Sequence, residues 1–439
     1  MILKIKCSHP TIILNPYFEK LYRASKAIVA GNHTYILRQD MYYLPYDTWS
    51  PKRQQVTLSN YEDYYFVSDD GECTPLYILV PCGKCLLCRD KKASEWCFRA
   101  ICESRYSSST PLFVTLTYNE ENLPDDGVDK RAVQLFLKRL RFHLSEQFED
   151  LNLRYFACGE YGSKFGRPHY HLILWNFPEV HMVRIRYFVE YAWQRQGFIT
   201  VYPVKKGGIN YVMKYMRKDC PNKLGYKNEP FYLSSRRGGG LGIKYCNDIT
   251  DWCRRNSDVK TLTVQDPFTG VTMTFGIPRY FKEKIFPTES KLVPKEVRDA
   301  YSNCNYFYAR LKSECPSIES LLDSDYYKEF KVTMEDFATL RSKYCFLPTV
   351  QRREYLDLSV PDEFKHITDR ARYFLSRMQA SMSVIINYDC ETWFIMDLLS
   401  ITQKHRDYMN SLPQQLYNVE YLEEKLKNKM KLDKEKETF

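Results

Sequence analysis

Hydrophobic positions in the middle of the chain follow two periods. Apolar residues alternate or run together in short stretches that predict strands, namely PLFVTLTY, LRYFACGEYG, RPHYHLILWNF and FITVYPV. The second and third stretches are joined by a Gly-containing turn typical of a hairpin. Helical spacing appears in DKRAVQLFLKRLRFHLSEQ, VRIRYFVEYAWQRQ and GGINYVMKYMRKD. This order predicts an α+β fold with a central antiparallel sheet flanked by helices.

The patterns divide the chain into three predicted regions. Residues 1–105 are rich in Tyr, Pro and Cys, suggest short strands and loops, and end in the helical stretch ASEWCFRAICESRY. Residues 106–290 hold the alternating strands and helices described above. Residues 291–439 are charged and mostly helical, carry no motif, and end in a mixed-charge tail that we expect to fray. The prediction is therefore a Cys-rich N-terminal region, a central α+β domain and a helical C-terminal region.

Composition narrows the class of partner. The formal net charge of +10 favours a polyanion contacted locally, and the 36 tyrosines among 439 residues suit stacking on unpaired bases. No signal-peptide pattern and no run of about 18 apolar residues is present, so we expect no membrane span. Fifteen cysteines, mostly scattered singly, then indicate a reducing cytoplasm with free or metal-bound thiols.

The strand RPHYHLILWNF carries two histidines on one face. Alternate side chains share a face of a strand, so His169 and His171 point the same way and can converge on one cation. Glu160 ends the neighbouring predicted strand and is a candidate third ligand. A mixed imidazole and carboxylate site with open positions suits a divalent ion that polarises a phosphate oxygen. The alternative is two surface histidines with ordinary hydrogen bonds.

The helix GGINYVMKYMRKD separates polar from apolar residues. Tyr211, Lys214, Tyr215 and Lys218 cluster on one side, and an apolar stripe occupies the opposite side, so we expect the Tyr/Lys face to point outward. A phenol with an ordinary pKa of about 10 is a poor nucleophile at neutral pH. A nearby cation or ammonium group would activate it. A merely solvated face remains the alternative.

The stretch PCGKCLLCRD spaces three cysteines as Cys-x-x-Cys-x-x-Cys. Cys82, Cys85 and Cys88 match a thiolate knuckle for structural Zn²⁺, which needs a fourth ligand. Cys7, His9 and Cys73 are the candidates for that position. An iron–sulfur cluster and unligated cysteines are the competing interpretations.

Basic residues near glycines are candidates for DNA contacts. Arg236 and Arg237 lie in SSRRGGGLGIKY, where glycines let backbone amides approach phosphates. Lys205 and Lys206 precede the Tyr/Lys helix, whose N-terminus also favours an anion. Arg167 precedes the histidine strand and is a further candidate. Ordinary polar loops are the alternative.

Together, the His-x-His strand and the doubled Tyr-x-x-Lys helix resemble the HUH single-strand endonucleases. The stretches VPCGKCLLCR, FVTLTYNEENLP, FLKRLR, GEYGSKFGRPHYH, YVMKYMRK and GIPRYFKEKIF are similar, in the same order, to the two-tyrosine replication initiators of microviruses, over roughly residues 80–285. The resemblance implies a ferredoxin/RRM-like HUH fold. It also implies that His169 and His171 bind the metal, with Glu160 as a less specific third ligand, and that Tyr211 and Tyr215 are the nucleophiles.

The resemblance further implies rolling-circle replication. One tyrosine would cleave origin DNA and keep its 5′ phosphate, the 3′ hydroxyl would prime synthesis, and the second tyrosine would allow release of a single-stranded circle. Mg²⁺ or Mn²⁺ would assist, and single-stranded or supercoiled origin DNA, a host helicase and a polymerase would be the partners in the bacterial cytoplasm. An HUH transposase or relaxase, or a non-catalytic zinc-containing nucleic-acid-binding protein, are the alternatives.

Overall fold

The computed structural model describes most of the chain. The described residues are 2–15, 42–44, 57–63, 65–67, 73–75, 77–149, 152–162, 164–205, 208–217, 225–315, 325–347, 366–388 and 390–437. Their strands are, in chain order, β1 Ile2–Leu3, β2 Thr11–Leu14, β3 Tyr42–Leu44, β4 Tyr65–Val67, β5 Cys73–Pro75, β6 Tyr77–Val80, β7 Leu112–Thr117, β8 Arg154–Tyr161, β9 Pro168–Trp175, β10 Ile199–Pro203, β11 Phe231–Ser234, β12 Thr261–Gln265, β13 Thr272–Gly276 and β14 Tyr417–Asn418.

The α-helices follow the predicted pattern in the centre and dominate the C-terminal third. They are α1 Leu86–Ser104, α2 Lys130–Ser145, α3 Met182–Trp193, α4 Gly208–Arg217, α5 Ile243–Arg255, α6 Arg279–Ile285, α7 Glu289–Leu292, α8 Lys295–Glu314, α9 Asp325–Lys343, α10 Ile367–Ile386, α11 Thr392–Ser411 and α12 Val419–Glu437. A 3₁₀ turn covers Tyr61–Asp63. The tail that was expected to fray is therefore mostly the helix α12. No described helix is long and apolar enough to cross a membrane.

The central sheet has five antiparallel strands in the order β10-β7-β9-β8-β11. The predicted hairpin is β8–β9, and the α+β fold with its central antiparallel sheet is confirmed. β9 occupies the middle, where both of its faces are covered and its residues beyond His169 are buried. A histidine on this strand therefore lies in a largely dry environment with a fixed backbone.

Helices cover the two faces of the sheet with different partners. On one face, Tyr170, Leu172 and Leu174 of β9 join a buried core with apolar residues of α2 and α3. The Asp129 carboxylate caps α2 by accepting hydrogen bonds from two backbone N–H groups, as the sequence predicted. On the other face, the Trp175 indole donates to Ser104 of α1, and α4 packs against both α1 and β9. The helix that carries the tyrosines thus lies on the same side as the histidines.

Contacts group the chain into two compact units. Unit 1 comprises residues 1–9, 81–285 and 407–439, and unit 2 comprises residues 10–80 and 286–406. In unit 1, β1 pairs with β14, and α12 packs on α1. In unit 2, α8 and α10 pack closely around a core that includes Phe307 and Phe374. The three-region division at 105 and 290 stays a prediction.

Candidate active site and cysteine cluster

Three predicted metal ligands lie at one end of the β8–β9 hairpin. Glu160 is the cross-strand partner of His169, and His171 lies one step further along the same face. Glu160 is 4% exposed, and its Oε1 is 3.3 Å from Nε2 of His171, which is also buried. A buried carboxylate is costly unless a positive group is near, so this pair is suited to a cation.

Hydrogen bonds at Nδ1 orient both imidazoles. His169 donates from Nδ1 to the carbonyl oxygen of Arg167 over 2.7 Å, which leaves its Nε2 as the nitrogen able to bind a cation. Nδ1 of His171 lies 3.1 Å from the Thr115 hydroxyl. Thr115 is the cross-strand partner of His171 on β7. Sequence reasoning missed Thr115, although the alternation in PLFVTLTY places it on the histidine face.

The two histidines do not yet converge on one point. Their ring centroids are 6.4 Å apart, with the planes nearly parallel. Among the described residues, the group of His, Cys, Asp or Glu side chains close enough to share one ion is the four-cysteine cluster. The donor set of Glu160, His169 and His171 fits a divalent cation chemically, and a rotamer change of His169 would complete it.

Tyr215 stacks directly on His171. The two ring centroids are 4.0 Å apart and the planes differ by 7°. Tyr215 is half-buried, so it lies against the sheet rather than on the open surface that the helical pattern predicted. The apolar side of α4 explains this orientation, because Ile209, Val212 and Met213 are buried and fix the rotation of the helix.

The other members of the predicted Tyr/Lys face are less defined. Tyr211 and Lys214 lie on α4, but the structure does not describe their side chains, and Lys218 lies outside the described residues. The C-terminal end of α4 is fixed to α1 by an ion pair between Arg217 Nε and Asp90 Oδ1 at 2.7 Å. Sequence reasoning missed this pair, which carries no motif.

A groove of about 520 Å³ opens beside His169. Arg167 lines it, donates from Nη2 to the Tyr118 carbonyl oxygen over 2.9 Å, and forms an ion pair with Glu120. The predicted DNA-binding residue Arg167 therefore adjoins the candidate metal ligands. Lys205 is exposed at the end of β10, and Lys206 lies outside the described residues.

Arg236 and Arg237 lie elsewhere. Their loop follows β11, and β11 runs antiparallel to β8 towards Arg154, six residues from Glu160 and about 20 Å along a strand. The loop carbonyls of Arg237, Gly239 and Gly240 accept hydrogen bonds from the buried Arg154 guanidinium. The structure thus exposes both predicted arginines but does not bring them to the histidine end of the sheet.

The cysteine cluster assembles four thiols from two segments. The Sγ atoms of Cys7, Cys82, Cys85 and Cys88 all lie within 4.8 Å of one another. The distance from Cys85 Sγ to Cys7 Sγ is 3.7 Å, which matches the roughly 3.8 Å expected between sulfurs of a tetrahedral zinc site. Of the candidates for the fourth position, the structure brings Cys7 to the cluster, and His9 is exposed.

Backbone amides support the sulfurs of this cluster. Cys82 N–H donates to Cys7 Sγ over 3.3 Å, and Cys85 N–H donates to Cys82 Sγ over 3.3 Å. Gly83 has a φ of 74°, which the tight turn between the first two cysteines requires. Burial raises the pKa of Cys85, but N–H groups of Cys88 and Ser8 and the neighbouring thiols outweigh it and lower this pKa to about 6. Amide donors favour thiolates and hence metal binding.

Comparison with known proteins places this geometry in context. Residues 111–220 match the model of a family described as replication-associated protein ORF2. The chain is 28% identical over 226 residues to replication-associated protein ORF2 of Spiroplasma virus 4, covering 47% of the chain and 67% of that protein. It is 25% identical over 255 residues to replication-associated protein ORF4 of Chlamydia phage 1, covering 54% and 60%.

A third relative is more similar over a shorter stretch. Replication-associated protein VP4 of Bdellovibrio phage phiMH2K is 40% identical over 100 residues, which cover 22% of the chain and 31% of that protein. No solved structure matches the chain. The matched family segment runs from the start of β7 to just beyond α4 and so contains Glu160, His169, His171 and both tyrosines, whereas the cysteine cluster lies outside it. Residues 111–220 therefore form a domain of the phage replication-associated protein ORF2 family.

Proposed function

We propose that the protein is a rolling-circle replication initiator that nicks and rejoins single-stranded origin DNA. The observation that carries this proposal is the parallel stack of Tyr215 on His171, with centroids 4.0 Å apart. It brings a candidate nucleophile to a candidate metal ligand within the domain that phage replication-associated proteins share. The nicking chemistry goes beyond what the names of those relatives state.

The candidate metal ligands would bind one divalent cation. Glu160, His169 and His171 form a mixed carboxylate and imidazole donor set, which suits Mg²⁺ or Mn²⁺ in contact with phosphate oxygens. When bound, the cation would polarise the scissile phosphate and offset charge in the transition state. Thr115 and the Arg167 carbonyl hold the imidazoles in orientation from their Nδ1 sides.

The proposed cleavage exchanges one phosphate ester for another. The Tyr215 phenol oxygen attacks phosphorus, a P–O bond to tyrosine forms, and the P–O3′ bond breaks. The net proton moves from the phenol to the leaving 3′ oxygen, which becomes the 3′ hydroxyl primer. Lys214 and Lys218 are proposed to stabilise the phenolate. Because the number and kind of ester bonds are conserved, the step is reversible without ATP.

A second nucleophile would complete the cycle. Tyr211 lies one helical turn before Tyr215 on α4, so a small shift of the DNA would bring either phenol to the same phosphorus. Tyr211 would cleave the regenerated origin, and the new 3′ hydroxyl would attack the first phosphotyrosine and close a single-stranded circle.

Partners are proposed on the same basis. Arg167, Lys205 and Lys206 would contact DNA phosphates near the histidine end of the sheet. Arg236 and Arg237 would contact DNA at the far end, where their side chains are exposed. Supercoiled or single-stranded origin DNA is the substrate, a host helicase and polymerase extend the 3′ end, and the bacterial cytoplasm is the location.

A covalent-adduct assay tests the chemistry. The protein is incubated with single-stranded phage-origin DNA and Mn²⁺, denatured, and examined for a DNA-linked band by gel electrophoresis. We expect an adduct with the wild type, and none with Tyr211→Phe/Tyr215→Phe or in EDTA. The absence of any wild-type adduct would favour a non-catalytic nucleic-acid-binding protein. Adduct formation by the double variant would show that another residue is the nucleophile.

We also propose that the cysteine cluster binds one structural Zn²⁺. The support is the compact set of four sulfurs with amide donors and a sulfur–sulfur distance suited to tetrahedral zinc. Elemental analysis should find about one zinc per chain, and Cys85→Ser should lose it. Cys97→Ser is the matched control, because Cys97 is buried on the same helix but outside the cluster. Iron in place of zinc, or no metal, would contradict this assignment.

A further inference from the structure

The turn between α3 and β10 has an unfavourable backbone. Gln194 and Arg195 have φ values of 60° and 53°, in the left-handed region that residues other than glycine rarely adopt. Gly197 lies so close to the end of β7 that a Cβ there would be 2.3 Å from the Thr117 carbonyl oxygen. Strained residues persist only where the surroundings enforce them, and they cluster at functional sites.

This turn presents an aromatic ring to solvent. The carbonyl oxygen of Phe198 accepts hydrogen bonds from the Thr117 N–H and hydroxyl, each over 3.0 Å, and the Gln196 carbonyl accepts from Asn119 N–H over 2.9 Å. The backbone at Phe198 is therefore anchored to β7. Its side chain is nonetheless 79% exposed, the highest value among the exposed large apolar side chains of the described residues.

The exposed ring borders the groove beside the candidate active site. Phe198, Asn119 and Arg167 line this groove together with His169, and its volume of about 520 Å³ is within the range of small-ligand sites. Arg167 is held in place by the Tyr118 carbonyl and Glu120. The groove therefore combines a flat apolar ring, a guanidinium group and a candidate metal ligand within one concavity.

We propose that Phe198 stacks on the base of an unpaired nucleotide next to the scissile phosphate. This inference rests on the proposed function, because it assumes a single DNA strand at the histidine end of the sheet. A base offers a flat π-face to Phe198, while its phosphate can lie towards Arg167. A duplex keeps its bases stacked on each other, so Phe198 is a positioning residue that favours single-stranded over double-stranded DNA.

Binding in the absence of divalent metal tests the inference separately from the chemistry. The probe is a fluorescein-labelled oligothymidylate of about 20 nucleotides in EDTA at fixed salt, measured by fluorescence anisotropy, with a duplex of equal length for comparison. Phe198→Ala should weaken binding of the single strand by roughly 5- to 150-fold and leave duplex binding within about twofold. Phe198→Trp should retain wild-type affinity, because indole also stacks.

Phe142→Ala is the matched control. Phe142 is 60% exposed on α2, which covers the opposite face of the sheet, and it should leave both affinities unchanged. Equal affinities of Phe198→Ala and Phe142→Ala for the single strand would overturn the proposal, as would equal losses for single strand and duplex. If the Phe198 effect is found but the wild type forms no covalent adduct, the nicking proposal fails and the stacking proposal stands.

Discussion

Replacement of Arg154 by methionine should destabilise unit 1 strongly. The Arg154 side chain is 5% exposed and its Nε lies 2.8 Å from Oε1 of Glu103, whose side chain is 12% exposed. The same guanidinium also donates to three carbonyl oxygens of the loop after β11. Arg154→Met would leave a buried carboxylate and these carbonyls unpaired, so we expect a loss of about 3–5 kcal/mol in the free energy of unfolding.

A double-mutant cycle separates the pair from the loop contacts. Glu103→Met should also destabilise, and Arg154→Met/Glu103→Met should cost about 2 kcal/mol less than the sum of the single changes, because the second substitution removes a charge that is already unpaired. Urea denaturation followed by tryptophan fluorescence measures this, since Trp96, Trp175 and Trp193 all lie in unit 1.

The matched control is an exposed ion pair of the same chemistry. Arg279 and Glu283 are four residues apart on α6, with side chains 87% and 41% exposed, so Arg279→Met should leave the midpoint unchanged. If Arg154→Met shifts the free energy of unfolding by less than about 1 kcal/mol, or if the cycle is additive, the account of a mutually dependent buried pair is incorrect.

Three further changes give distinct outcomes. Glu160→Gln keeps the shape but removes the charge, and should slow covalent-adduct formation by about 100-fold or more; a wild-type rate would exclude this carboxylate as a ligand. Gly197→Ala would place a Cβ 2.3 Å from the Thr117 carbonyl oxygen and should cost about 1–3 kcal/mol by forcing β10 from β7; an unchanged thermal midpoint would contradict the close contact. Trp175→Phe removes the buried indole donor that bonds to Ser104 over 2.8 Å and should cost about 1–3 kcal/mol in urea denaturation; no shift would show that water replaces it.

The sequence predicted the elements of the candidate site because each rests on a local period. Alternation placed His169 and His171 on one face of a strand, and the Gly-containing turn brought Glu160 to the neighbouring strand. The register then makes Glu160 the partner of His169. The closer approach of Glu160 to His171 was not predictable, because it depends on side-chain rotamers rather than on strand period.

The orientation of Tyr215 could not be predicted from α4 alone. The helical pattern correctly identified the apolar stripe, but the width of the buried zone depends on what packs against it. Because α4 lies between α1 and the sheet edge, Tyr215 at the margin of the stripe meets the His171 ring instead of open solvent. A periodicity argument gives a direction for each side chain and not the neighbour it finds.

Long-range contacts account for the remaining differences. Arg236 and Arg237 were grouped with the active-site lysines because a basic glycine-rich loop suits phosphate. The buried Arg154, far away in the sequence, holds this loop at the other end of β8. Likewise, the C-terminal tail looked solvated by composition, yet α12 packs on α1, and Glu423 accepts a hydrogen bond from Ser8. Single-sequence patterns do not encode such pairings.

The noncontiguous make-up of unit 1 imposes an order on its assembly during synthesis. β1 finds its pairing partner only after β14, residues 417–418, has been translated, and Ser8 finds Glu423 later still. The thiols that surround Cys7 are complete as soon as Cys88 has left the ribosome. A metal bound at that stage would hold the first residues in place on the nascent chain while more than 300 residues are still to be made.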